Sequence, residues 1–244
     1  MVTLTDILHP TRLKILEILG EGSQALATIA RGLDLSKPEI SRHLTRMREL
    51  NLVEKKDKVH QLTNLGEVIL NLTSPIEFVI HNYDYFMNHK IDLPTSLIRD
   101  IDSLMNSELM SGTGYLMSKM DEFRSNITNE VKMMIDQPFP GTSVYIEKAL
   151  LIVPSYAKSE NLNLEILQEY CKYFEIRTLP IVNLTLGILD RKYGFLLFPD
   201  RIIGKIDYNH AFTVGDEMGL DFLSRIWDYF WEKAKLRVKS SEQV

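Results

Sequence analysis

The run Leu33-Asp34-Leu35-Ser36-Lys37-Pro38-Glu39-Ile40 constrains the fold more than any other part of this 244-residue chain. Ser36 is a favoured helix N-cap, Pro38 suits the first turn, and Glu39 stands three residues after the cap, as in a capping box. The helix so begun is expected to run from Ser36 to about Leu50. Ile40, Leu44, Met47 and Leu50 are spaced by four, three and three and share one face. Ser36, Lys37, Pro38, Ser41, Arg42, Thr45 and Arg48 lie away from that core, giving a face that is small, polar and basic.

The flanking segments extend the pattern. Leu4, Ile7 and Leu8, then Leu13, Ile15, Leu16, Ile18 and Leu19, suit a helix with one buried side, with His9 as its approximate cap, Pro10 near its start and Gly20 and Gly22 at its end. A short helix from about Ala25 to Gly32 turns Leu26, Ile29 and Ala30 inward, and Leu33–Ser36 forms a tight turn. Beyond Leu50, Leu52–Lys55 and Val59–Leu62 alternate as two strands around the charged tip Lys56-Asp57-Lys58. Three helices closed by a basic hairpin describe a winged helix-turn-helix. Its Ser36–Leu50 helix has the size and chemistry to enter a major groove, with Arg42 placed to pair with a guanine edge and Ser41 and Thr45 near bases or phosphates. Lys55, Lys56 and Lys58 are expected on phosphates. Double-stranded DNA is therefore the expected partner.

Two runs carry a family resemblance. Pro10-Thr11-Arg12-Leu13-Lys14-Ile15-Leu16 and Gly32 to Leu44, with Leu50-Asn51-Leu52-Val53 downstream, resemble the winged-helix domain of arsenic-repressor (ArsR) type. The resemblance spans roughly the first third of the chain and implies that Ser41 and Arg42 face DNA. Metal-sensing members carry a Cys pair where Ala25 and Ala27 stand here, so thiolate sensing at that place is excluded.

A net charge of −5 argues against nucleic acid only if it is spread evenly. It is not: residues 1–72 hold ten Lys/Arg against nine Asp/Glu, whereas the remainder holds 18 against 24. From Ser36 to His60 there are seven bases and four acids, a local basic excess. The single Cys171 points to a reducing, cytoplasmic setting. Apolar runs such as Ala149–Val153 are far short of the roughly 20 residues that span a bilayer, and Met1–Arg12 does not read as a secretion signal, so no membrane role is expected.

An α+β protein is expected: a winged helix-turn-helix over residues 1–72, a linker or dimer helix over 73–92, and a larger α/β regulatory domain over 93–244. Leu65–Leu72 and Ile76–Met87 read as helices, with Ile69, Leu72, Ile76, Val79, Ile80, Tyr83 and Phe86 apolar, and a homodimer is expected because two-fold operators call for a two-fold protein. Helices are expected near Thr95–Leu104 and Met117–Met134. Lys148–Val153, a helix over Leu162–Phe174, and Glu175–Leu179 form a βαβ unit. Strands near Thr185–Leu189 and Phe195–Phe198 and a closing helix over Asp216–Arg237 follow. The segments His89–Ile98, Leu186–Asp190, Gly194–Pro199 and Ile226–Trp231 resemble the regulatory domain of archaeal methanogenesis-regulator (Fil-type) proteins. This resemblance implies an archaeal source and a regulatory domain behind the winged helix.

No catalytic constellation stands out. Gly112-Thr113-Gly114-Tyr115-Leu116-Met117 lacks the third glycine and the preceding apolar strand of a phosphate-binding loop, and reads as a loop that starts a helix. His89-Lys90-Ile91-Asp92 reads as a helix turn, although His81 and His89 have the spacing to meet a carboxylate in a dimer. No nucleophile elbow, Walker loop or His-Glu-x-x-His motif is present, so no catalytic residue, metal site or cofactor is expected. Tyr156, Tyr193, Phe195, Asp207, Tyr208 and His210 are polar-aromatic residues near strand ends and are the candidates for a small-molecule effector site. The function expected is a sequence-specific, dimeric transcription regulator. The alternatives are an enzyme with an appended DNA-binding domain and a nonspecific architectural DNA binder.

Overall fold

The computed structural model describes residues 9–112, 118–119, 122, 127–137, 144–158 and 162–240. The chain divides into two compact units, Met1–Glu77 and Phe78–Val244. The division falls inside a helix, five residues beyond the expected end of the first domain at 72.

In the first unit, α1 (Pro10–Gly20), β1 (Gln24–Ala25), α2 (Leu26–Gly32), α3 (Lys37–Glu49), β2 (Val53–Lys56) and β3 (Val59–Leu62) precede α4 (Asn64–His81). His9 caps α1, its Nδ1 accepting the Thr11 N–H at 3.3 Å, and Ser36 caps α3, its Oγ accepting the Glu39 N–H at 3.4 Å. The turns that follow α2 and α3 are built alike. Asp34 and Asn51 adopt left-handed backbone (φ 52° and 56°), which these side chains tolerate. The next amides reach back, Leu35 N–H to Ala30 O at 3.0 Å and Leu52 N–H to Met47 O at 2.9 Å, closing a Schellman cap on each helix. Ile15, Leu16, Ile29, Ile40, Leu44, Met47 and Leu52 form the core. Ala25, expected in the second helix, instead pairs with Val59, so β1-β3-β2 make a three-stranded sheet. Gly66 permits the close entry of α4: a Cβ there would lie 2.1 Å from the Leu52 carbonyl oxygen.

The two helices expected over Leu65–Leu72 and Ile76–Met87 are divided differently. Pro75 lies inside the 18-residue α4 rather than between helices. The break comes at Asn82, whose Nδ2 donates to the Phe78 carbonyl at 3.0 Å, before α5 (Tyr83–Asn88).

The second unit holds α6 (Thr95–Ile98), a 3₁₀ turn at Ile101–Leu104, β4 (Glu108–Ser111), β5 (Glu130–Met134), β6 (Ile146–Pro154), α7 (Leu164–Tyr170), β7 (Cys171–Leu179), β8 (Thr185–Leu189), β9 (Tyr193–Leu197), β10 (His210–Val214), α8 (Glu217–Lys233) and β11 (Lys235–Lys239). They build one eight-stranded mixed sheet, order β11-β7-β6-β5-β8-β9-β10-β4. β5, β6 and β7 are parallel, and β6-α7-β7 is the expected βαβ unit. Apolar cores cover both faces. One contains Phe78, Tyr85, Phe212, Phe222 and Trp227, the other Ile127, Leu151, Leu167, Phe174 and Phe195. Among the described residues no helix is long and apolar enough to cross a membrane.

Four expected helices are corrected. Glu130–Met134 is a central strand: Asp190 accepts the backbone N–H groups of Thr128, Asn129 and Glu130 at 3.0, 2.9 and 2.7 Å and directs the chain into the sheet between β6 and β8. Residues 117, 120–121 and 123–126 of that expected helix lie outside the described residues. The helix expected to reach Phe174 ends at Tyr170, because Cys171–Phe174 pair with β6. The closing helix stops at Lys233, and Lys235–Lys239 pair with β7 at the sheet edge. Thr95–Leu104 is a short α-turn followed by a 3₁₀ turn rather than one helix.

Candidate nucleic-acid interface

All ten residues expected to meet DNA are exposed: Ser36, Lys37, Pro38, Ser41, Arg42, Thr45 and Arg48 on α3 or its cap, Lys55 and Lys56 on β2, and Lys58 in the hairpin tip. The placement follows from the buried positions, since Ile40, Leu44 and Met47 turn one side of α3 into the core and leave the other to solvent. Arg48 Nη2 donates to Thr45 Oγ1 at 3.3 Å, one turn away on the same face. Two of the four acids between Ser36 and His60 are held in ion pairs. Glu49 pairs with Arg46 at 3.0 Å and Glu54 with Lys56 at 3.2 Å. Asp57 takes the left-handed conformation (φ 53°) that turns the wing before Lys58.

Two histidines that sequence reasoning left out belong to this region. His60 is buried beneath the wing, and burial, followed by the positive charges of Lys55 and Arg48, lowers its pKa from 6.5. Arg48 at the end of α3 and Lys55 on the wing thus both lie near enough to His60 to disfavour its charged form. The signal was available, because His60 and Leu62 alternate on the buried side of β3. His43 lies with its ring centroid 4.8 Å from that of His9, and burial, His9, Arg12 and Arg42 lower its pKa against the opposing pull of Glu39.

In the second unit the six effector candidates do not gather into one pocket. Tyr156 is exposed after β6, and Phe195 is buried in the core on one face of the sheet. Tyr193 lines an open cleft of about 590 Å³ with Arg191, Glu217 and Asp221. Tyr208 packs against the same core as Phe195 and directs its hydroxyl to Asp136 and Thr185. Asp207 and His210 do come together: His210 Nδ1 lies 2.7 Å from Asp207 Oδ2. The third member of that cluster is His89, whose Nε2 lies 3.1 Å from the same oxygen, although the two residues are 118 positions apart. His89 thus meets a carboxylate within its own chain, and it is the end of a helix rather than part of a helix turn. Burial opposes the charge of Asp207, but hydrogen bonds from His210, the Asn209 amide and His89, with the charge of His210, hold its carboxyl down to about 2. The glycine-containing segment noted at Gly112 lies outside the described residues from 113 to 117. Cys171 is buried, and burial pushes its thiol up to about 11.

The fold and this face define a two-domain protein, an N-terminal winged helix-turn-helix followed by a larger sheet-rich domain. Residues 9–55 match the family model described as bacterial regulatory protein, arsR family. No curated protein matches the chain. Among solved structures, TrmBL2, an archaeal chromatin protein that shows a novel mode of DNA binding, is similar at 13% identity and TM-score 0.40, over 93% of this chain and 94% of that one. The transcriptional repressor BigR from Xylella fastidiosa is similar at 23% identity and TM-score 0.27, over 29% of this chain and 76% of that one. ZitR from Lactococcus lactis is similar at 20% identity and TM-score 0.30, over 50% and 76%.

Proposed function

We propose that this chain is a sequence-specific DNA-binding transcription regulator that acts as a homodimer. The observation that carries the reading is the single exposed face of α3 and the wing, on which the bases outnumber the acids and two of the acids, Glu49 and Glu54, are paired; α3 and the start of the wing lie within residues 9–55, which match the arsR-family model. Arg42 reads a base edge, Ser41 and Thr45 allow close approach, and Lys55, Lys56 and Lys58 hold phosphates.

Dimerisation is supported by the first unit's part of α4. Leu65, Val68, Leu72 and Ile76, spaced by three, four and four, are between 46% and 65% exposed. A stripe of this kind is self-complementary about a two-fold axis, and a second copy of the chain is the occupant that also brings two recognition helices to two half-sites. The sheet-rich domain then acts as the sensing domain, its ligand changing the fit of the helices to their half-sites.

Selection of bound sequences from a random duplex pool by the full-length protein, followed by competition with unrelated DNA, tests the reading. The expected result is an enriched two-fold motif bound at least about 10³-fold more tightly than random duplex. Equal binding to both would overturn sequence specificity and favour an architectural binder.

A further inference from the structure

We propose that His89, Asp207 and His210 form a binding site for a divalent first-row transition ion, of which Zn²⁺ is the chemical type. The site lies wholly in the second unit and does not depend on the DNA-binding reading.

Each residue offers one ligand atom, and the three atoms lie within 4.8 Å of one another. Their arrangement is held from behind. His89 is the first residue past α5, bridged to Asp200, and its ring lies flat on Tyr85, with centroids 3.9 Å apart and planes 13° apart. Its Nδ1 is 2.7 Å from the Tyr85 carbonyl oxygen, which can only accept, so the proton of a neutral ring sits on Nδ1. In that neutral form the Nε2 lone pair is aimed at a carboxylate oxygen 3.1 Å away, two acceptors facing each other, and His89 donates to Asp207 only when Nε2 carries a proton as well. A positive centre between them, a second proton or a metal ion, resolves that opposition. The backbone-anchored imidazole is also the usual support of a metal-ligating histidine.

Asp207 is prepared in the same sense. Its Oδ1 accepts the Asn209 N–H at 2.8 Å, which orients the carboxylate and leaves Oδ2 to both rings. Among the described residues its ion-pair partners are the two histidines and no Lys or Arg. Two neutral imidazoles and one carboxylate carry a single negative charge, which a dication overcompensates by one.

The donor set selects the ion. Two nitrogens and one oxygen suit zinc, iron, cobalt or nickel, whereas magnesium and calcium require shells built mainly of oxygen. At tetrahedral zinc, ligand atoms about 2.0–2.1 Å from the metal stand roughly 3.3 Å apart. The present 2.7 and 3.1 Å therefore widen slightly, and the separation of the two histidine nitrogens, within 4.8 Å here, closes toward the same value when a metal binds. The His210 side chain, 40% exposed against 4% for His89 and 14% for Asp207, has the freedom to make that adjustment. Three protein ligands leave one coordination position on the His210 side for water or an anionic ligand, the open kind of site.

The experiment uses the full chain, stripped with a chelator and titrated with Co²⁺ as a spectroscopic stand-in and then with Zn²⁺. The expected result is one Co²⁺ per chain with the intense visible absorption of low-coordinate cobalt, displaced by one equivalent of Zn²⁺. Asp207→Asn and His210→Ala, each checked for a native circular dichroism spectrum, should weaken binding at least about tenfold. His210 is partly exposed, so its variant keeps the fold if Asp207→Asn does not. Absence of stoichiometric binding, or binding that survives unchanged in a folded variant of either kind, overturns the proposal.

Discussion

Phe195 on β9 stands across the sheet from Gly187 on β8, and its ring fills the space where a side chain at 187 would be: a Cβ there would lie 2.2 Å from two ring atoms. Gly187→Ala must push a buried ring out of its core, an overpacking cost of about 1–3 kcal/mol. Both tryptophans, Trp227 and Trp231, lie in this unit, so their fluorescence reports its unfolding. The urea midpoint followed this way should fall without a change in m-value. An unchanged midpoint would show that the ring moves aside freely.

Glu77 makes the first unit sensitive to pH. Burial, then a hydrogen bond with Glu17 and repulsion from its charge, push the Glu77 carboxyl from 4.5 up to about 8, against the pull of Lys14. The folded state therefore keeps a proton that the unfolded chain releases near 4.5. This contribution is fully present below that pH and is lost as pH rises through about 8. Thermal melts by circular dichroism should show Glu77→Gln matching the parent at pH 5 and exceeding it at pH 8. Parallel behaviour of the two proteins at both values would contradict the raised pKa.

Arg42 and the wing lysines should fail differently. Arg42→Ala is expected to cost about 1–3 kcal/mol on the selected motif and much less on random duplex, narrowing the ratio between them. An equal loss on both, measured by fluorescence anisotropy, would remove Arg42 from base reading.

Lys58→Ala should weaken binding to all sequences and reduce the slope of log K against log salt by about one. Lys56, 3.2 Å from Glu54, begins partly neutralised, so Lys56→Ala should change that slope less. Identical slopes for parent and Lys58→Ala would place the wing tip off the DNA.

Leu72→Glu puts a charge at the centre of the exposed α4 stripe, where Leu72 is 65% exposed. Sedimentation at micromolar concentration should show the parent as a dimer and this variant as a monomer with unchanged helix content. A dimer that persists would move the interface elsewhere.

The first unit was legible in the sequence because its signals are local. The Ser36 cap, the left-handed Asp34 and Asn51, and the four-three-three spacing of Ile40, Leu44, Met47 and Leu50 act within one or two turns of chain. The face opposite a buried stripe follows from helix geometry, and the seven residues of α3 and its cap expected to meet DNA are exposed for that reason. In the second unit, by contrast, Glu130–Met134, Cys171–Phe174 and Lys235–Lys239 became strands because neighbours distant in sequence offered backbone partners, overriding local helical pattern. The His89–Asp207–His210 cluster belongs to the same class of fact. Nothing near His89 in the chain announces a carboxylate 118 residues away, and only the packing of α5 against β10 brings their side chains together. Periodicity and capping determine which face of a helix is buried, but the meeting of distant polar groups is set by the sheet that joins them.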